Sequence, residues 1–92
     1  MLIEHEQSGT QGRWFVEPND KRLAEMSYSR SDENQLTIEH TWVDDSLRGQ
    51  RVGYYLVEAA VNFAREHGIR IIPECPFAKS VFERESGFRD VL

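Results

Sequence analysis

The hydrophobic period of this chain changes once, near its middle, and few folds survive that change. Along Gln35–Val43 the residues alternate, with Leu36, Ile38, His40 and Trp42 pointing one way and Thr37, Glu39, Thr41 and Val43 the other, which is the period of a β-strand. A few residues later Val52, Leu56, Ala59, Ala60 and Phe63 recur at helical spacing, while Glu58, Asn62, Arg65 and Glu66 lie largely outside that stripe. Gly68 stands where a C-cap glycine belongs, so the spacing predicts a helix from about Gln50 to His67. Ile69–Ile72 follows as a β-branched run too short for a helix. Strand, helix, strand is a βαβ unit, whose two strands run parallel with a right-handed crossover.

The first half is cut by turn residues into short strands. Leu2–Gln7, Arg13–Glu17 and Arg22–Ser29 read as strands, separated by Ser8–Gly12 and Pro18–Lys21, and Ser31–Asn34 is the turn into Gln35–Val43. Ala24, Met26 and Tyr28 share one face of their strand. Beyond the βαβ unit, Phe77–Ser86 is expected as a last helix with Phe77, Val81 and Phe82 inward and Gly87 at its end. The fold class is therefore α+β, an antiparallel strand meander followed by a βαβ unit and a C-terminal helix. At 92 residues the expectation is a single domain over residues 1–92.

Composition excludes several functions. Residues 1–46 hold 10 acidic and 4 basic side chains, and residues 47–92 hold 6 and 7. The net charge of −5 makes the chain a poor general binder of nucleic acid, which needs clustered Lys and Arg, and it points an anionic ligand to the second half. A lone cysteine and three scattered histidines give no disulfide framework and no metal-ligand spacing. No apolar run approaches the length of a membrane span, and Met1–Glu6 lacks the pattern of a signal region, so a soluble cytoplasmic protein is expected.

Chemistry concentrates where the period changes. Arg48, Gly49, Gln50, Arg51, Val52 and Gly53 join a strand to the start of a helix. A helix N-terminus offers unpaired N–H groups and the positive end of the macrodipole, and two arginines add charge-assisted donors, so this turn is a candidate phosphate site. The other reading is a loop whose glycines only permit a tight turn. It is not a P-loop, since no Gly-Lys-Ser/Thr follows, and the glycine spacing is not that of a dinucleotide fingerprint. Cys75 lies just past the second parallel strand, and Pro76 suits the first position of a helix that Cys75 would cap, a setting that favours thiolate. The alternative is a buried structural cysteine. His40 lies on the neighbouring strand, so topology allows a Cys75/His40 pair of the kind that activates a thiol. The alternative for His40 is a hydrogen-bonded core residue. His5 and His67 have no such partner and read as surface. The backbone of Trp42 and Val43 is placed to pair with an extended ligand, and of Tyr54 and Tyr55 one should pack and the other touch a ligand.

The stretch from Ile38 through Leu47-Arg48-Gly49-Gln50 to Ala60, with Cys75-Pro76-Phe77 downstream, resembles the GNAT superfamily of N-acetyltransferases, and within it the minimal branch of roughly 90–100 residues. The likeness covers residues 35–92. It implies a GNAT-like fold and acetyl-coenzyme A as cosubstrate, with Trp42 and Val43 lining the pantetheine arm. It also implies that the turn Arg48 to Gly53 holds the pyrophosphate, with Tyr54 among the cofactor-binding residues, and that Cys75, with His40 nearby, meets the acetyl thioester. Two departures stand out. Arg51 takes the place of the first glycine of the phosphate loop, and Val81 falls where many members keep a tyrosine as general acid. At this length the chain is also expected to be too short for the N-terminal helices that usually help to build the acceptor site. The expected function is acetyl transfer to an amine acceptor, a protein lysine or small amine. A coenzyme A-binding module without turnover, and an interaction domain whose turn binds nothing, are the competing readings.

Overall fold

Which face of each strand can be buried decides how this chain is layered. The computed structural model describes the backbone of all 92 residues and the side chains of all but Ser31. In chain order the elements are β1 (Glu4–Ser8), β2 (Gln11–Val16), β3 (Ala24–Asp32), β4 (Gln35–Val43), α1 (Val52–His67), β5 (Arg70–Pro73) and α2 (Pro76–Arg84). Single 3-10 turns lie at Pro18–Asp20, Asp45–Leu47 and Ser86–Val91, the last of these beyond the helix end expected at Gly87. The five strands form one sheet in the order β1-β2-β3-β4-β5, antiparallel as far as β4, with β4 and β5 parallel. The architecture is thus the expected α+β meander followed by a βαβ unit, and among the described residues no helix is long and apolar enough to cross a membrane.

Both helices cover the same face of the sheet. Ala24, Met26 and Tyr28 of β3, with Leu36 and Ile38 of β4, are fully buried against Leu56, Val57 and Ala60 of α1 and Ala78 and Val81 of α2. α1 ends as its sequence requires, with Gly68 in the left-handed conformation (φ 63°) and its N–H bonded to the Ala64 carbonyl. On the outer face Phe15 is buried apart from this core, beneath the Arg22 guanidinium 3.9 Å from its ring centroid.

The alternation expected along β4 breaks at one residue. Tyr28 is opposite Ile38, but Ser27 is opposite His40, so Glu39 is an extra residue in β4, a β-bulge. Past it the faces exchange. Thr41 and Val43 join the helix side with Met26 and Ala24, while Glu39, His40 and Trp42 stand exposed on the outer face. The Ser29 hydroxyl, on the outer face, donates to the Glu39 carboxylate, in keeping with that placement. The ladder between β4 and β5 stops at Ile38–Pro73, and the N–H groups of Glu74 and Cys75 both converge on the Ile38 carbonyl.

His5 and His67 are exposed, as expected, and with Trp14, Tyr28 and Phe63 they form an aromatic group at the far end of α1. His5 stacks on Trp14 at 4.5 Å and its Nε2 is 2.7 Å from the Tyr28 hydroxyl, while Phe63 sits edge-on to His5 and stacks with His67. Burial, and secondarily the charge of His67, hold the His5 pKa below 6.5. Between that lowered value and the unfolded value the unfolded chain holds more protons, so the His5 contribution to stability is full above pH 6.5 and is lost as pH falls. We expect the thermal midpoint to drop from pH 7.5 to pH 5 less steeply in His5→Phe, which retains the stack, than in the unaltered chain. An equal drop in the two scans would refute a role for His5. Gly12 lies under the Tyr28 ring, and a Cβ there would come within 2.4 Å of Tyr28 Cζ and Oη. Since Tyr28 is fully buried and tied to His5, Gly12→Ala should cost about 1–3 kcal/mol in urea unfolding.

Candidate active site

The turn between β4 and α1 leaves donors without partners. Gly49 (φ 84°) and Arg51 (φ 57°) both adopt left-handed conformations, and together they bring the chain sharply into the helix. Arg51 is the N-cap residue, it makes no side-chain cap bond, and no acidic residue lies in the first turn. The first helical bond runs from the Tyr55 N–H to the Arg51 carbonyl, so the N–H groups of Val52, Gly53 and Tyr54 remain for a ligand or water.

These groups open on a cavity of about 400 Å³ between the N-terminus of α1 and the flank of α2. Val43 and Leu47 wall one side, Gly49, Val52, Gly53 and Tyr54 the helix end, and Phe77 and Val81 the floor. Three guanidinium groups, Arg48, Arg51 and Arg84, ring it against the one carboxylate of Glu85. Arg48 is exposed and paired with Asp45 at 2.8 Å. Arg51 lies 4.2 Å over the Tyr54 ring and 4.0 Å from Glu85. Burial, then the charges of Glu85 and Glu58, raise the Tyr54 pKa, so this phenol keeps its proton at neutral pH. A chain of net charge −5 thus carries a locally cationic hollow at a helix N-terminus, suited to a phosphorylated ligand. A second hollow of about 420 Å³, between Met1 and Asn62, is lined by Glu58 but by no lysine or arginine.

Gly53 has a different reason from the one its turn suggests. A Cβ there would come within 2.3 Å of the Phe77 ring, so the glycine lets α1 and α2 meet. Phe77, expected in the core, is 39% exposed and forms cavity wall. Val81 is buried at the cavity floor and has no proton to give.

Cys75 is the N-cap residue of α2 and is nearly buried. Its neighbour is not His40. The bulge at Glu39 turns His40 to the outer face and Thr41 inward, and the Cys75 thiol donates to the Thr41 hydroxyl at 3.4 Å. Burial pushes the thiol pKa up, but hydrogen bonding with the Thr41 hydroxyl and with the backbone at Ala78, Phe77 and Thr41 outweighs it and brings the value below that of a free cysteine. Thr41 and Arg84 were not legible as site residues. Strict alternation assigns Thr41 to the wrong face, and Arg84 sits on the last turn of α2 with no local motif.

Residues 13–91 match the family model described as GCN5-related N-acetyl-transferase. The chain belongs to this family. Among solved structures, a GCN5-like protein from Staphylococcus aureus shares 40% identity over 96% of this chain and 85% of its own, with a TM-score of 0.71. The ribosomal-protein-S18-alanine N-acetyltransferase of Escherichia coli (17% identity, TM-score 0.68) shares the fold, as does a protein described as an acetyltransferase from Clostridium acetobutylicum, solved with acetyl-CoA (17%, 0.65). The alignments cover 85% and 82% of this chain but only 53% and 56% of those larger proteins. No curated protein matches the chain. As a GCN5-related N-acetyltransferase it is small, with a site built from one helix terminus, one helix flank and the end of one strand.

If Thr41 holds the thiol toward thiolate, Thr41→Val should slow alkylation of Cys75 by iodoacetamide at pH 7 by about fivefold or more. His40→Ala should leave that rate unchanged. The reverse pattern, followed by mass spectrometry over time, would restore His40 as the partner of the thiol.

Proposed function

We propose that this protein binds acetyl-coenzyme A in the cavity between α1 and α2 and transfers the acetyl group to an amine through Cys75. The observation that carries the reading is the uncapped N-terminus of α1 facing a cavity ringed by Arg48, Arg51 and Arg84. In this reading the free N–H groups of Val52, Gly53 and Tyr54 receive the pyrophosphate, with Gly49 and Gln50 shaping the turn. The β4 edge at Trp42 and Val43, beyond the last pairing with β5, receives the pantetheine arm as an added strand would. The C. acetobutylicum relative, solved with acetyl-CoA, supports the choice of cosubstrate.

The Cys75 thiolate attacks the thioester carbonyl carbon. A bond forms from Sγ to the acetyl group, and the bond from coenzyme A sulfur to carbon breaks, its electron pair leaving on a thiolate that takes a proton from solvent. A neutral amine then attacks the acetyl-Cys75 carbonyl, forming the amide and returning Sγ as thiolate. His40, on the outer face, would take the proton that the amine sheds. Two observations favour a second reading, a coenzyme A-binding module without turnover: Val81 supplies no general acid, and Cys75 is only 5% exposed.

Calorimetric titration with coenzyme A tests binding. Replacing both Arg51 and Arg84 with alanine should weaken it about tenfold or more, and wild-type affinity in that variant would remove the cavity from the proposal. Mixing with acetyl-coenzyme A alone should leave an acetyl group on Cys75, read by mass spectrometry, and none in Cys75→Ala. Binding without an adduct and without transfer to any amine would favour the non-catalytic reading.

A further inference from the structure

The sheet has two open edges, and they differ in charge. β1 carries Glu4 and Glu6 on its outer face, so a second copy paired there would set acidic against acidic. β5 pairs with β4 on one side and with no strand on the other. The N–H groups of Arg70 and Glu74 bond to the carbonyls of Asn34 and Ile38. By alternation Ile72 also turns its backbone to β4, which leaves the N–H of Ile71 and the carbonyls of Ile71 and Pro73 facing the open side.

Side chains alternate across the sheet in the same way. Ile71 is buried in the core, whereas Arg70, Ile72 and Glu74 are exposed on the outer face, Ile72 by 39%. Arg70 gives one donor to the Leu92 carbonyl. Among the described residues no side-chain ion pair involves Arg70 or Glu74.

This row of basic, apolar and acidic residues is complementary to its own reverse. When two β5 strands run antiparallel about a centre at Ile72, that residue faces its own copy, and each Arg70 faces the second copy's Glu74. These are non-hydrogen-bonded positions, where facing side chains approach most closely. Between them each Ile71 N–H meets the second copy's Pro73 carbonyl. Proline has no N–H to return, so the ladder is thin and the contact weak. Centred on Ile71 or on Pro73, the pairing would instead oppose Ile72 to Arg70 or to Glu74, with no charge pair.

We propose that two copies of this chain associate through the open edge of β5, in a two-fold pairing centred on Ile72 that joins their five-stranded sheets into one. Charge complementarity selects the occupant. A basic or an acidic peptide would satisfy one end of the row and oppose the other, whereas a second copy satisfies both ends at once. The repulsion between two chains of net charge −5 is screened beyond about 10 Å in salt, while the facing pairs are in contact. The association does not depend on what the α1 terminus binds.

Sedimentation velocity over about 10 to 500 µM protein should show a reversible dimer with a Kd of roughly 100 µM, as a contact this small allows. Arg70→Glu and Glu74→Arg should each weaken it about tenfold or more, since each sets like charges opposite one another twice. Ile72→Lys should weaken it to a similar degree. The chain carrying both charge reversals should dimerise as the unaltered chain does. An equimolar mixture of the two single reversals should form a mixed dimer at concentrations where either alone is monomeric. All three side chains are exposed, and circular dichroism checks that each variant is folded. A monomer throughout the concentration range overturns the proposal. So does a dimer indifferent to the single reversals, or one that neither the double reversal nor the mixture restores.

Discussion

One extra residue in β4 governs the geometry of this site. Without the bulge at Glu39 the strand would keep its alternation and His40 would point into the core. With it, Thr41 faces the thiol and the polar and aromatic residues on either side of it turn outward. The pairing with β5 ends one residue before the bulge, so the same local irregularity lies where the two parallel strands lose contact. A parallel ladder continued to Val43 would satisfy the edge of β4 with backbone and leave no edge for a ligand. The bulge therefore lies next to the point at which the edge of β4 loses its backbone partner.

A second constraint acts at the other end of the cavity. An acidic chain must hold a cationic site against its own net field, and it does so with short-range features. The partial positive charge of the α1 terminus and the guanidinium groups around it act over a few ångströms, whereas the excess of acidic residues lies mostly in the first half of the chain and is screened beyond about 10 Å in salt. Arg48, at the rim of the cavity, is paired with Asp45 in an exposed ion pair, which contributes little to stability.

Much of this was legible in the sequence, and the rest was hidden for definite reasons. The α1 stripe, its glycine cap and the parallel pairing of β4 with β5 follow from period and punctuation, and the structure agrees to within two residues. The inward face of β3 was equally plain, since Ala24, Met26 and Tyr28 are all buried. The partner of Cys75 was not, because a bulge leaves no mark in residue type: Ile38-Glu39-His40-Thr41 reads as unbroken alternation. The ring contacts of His5 and the close approach at Gly12 were passed over because Tyr28, which both of them meet, is distant in sequence and adjacent only through strand register. Phe77 looked like core because it is a phenylalanine on a short amphipathic helix, yet it stands over Gly53 at the surface.

Arg51 joins the two halves of this account in a single residue. Its backbone holds a left-handed conformation that glycine adopts freely and that a residue with a Cβ occupies at a cost of about 1 kcal/mol or more. Its side chain, meanwhile, lies over Tyr54 within reach of Glu85 at the rim of the cavity. Folding stability and ligand charge are thus set against each other at one position. The chain retains local strain at the entrance to α1, and what it keeps in return is a third positive charge where three free N–H groups already point.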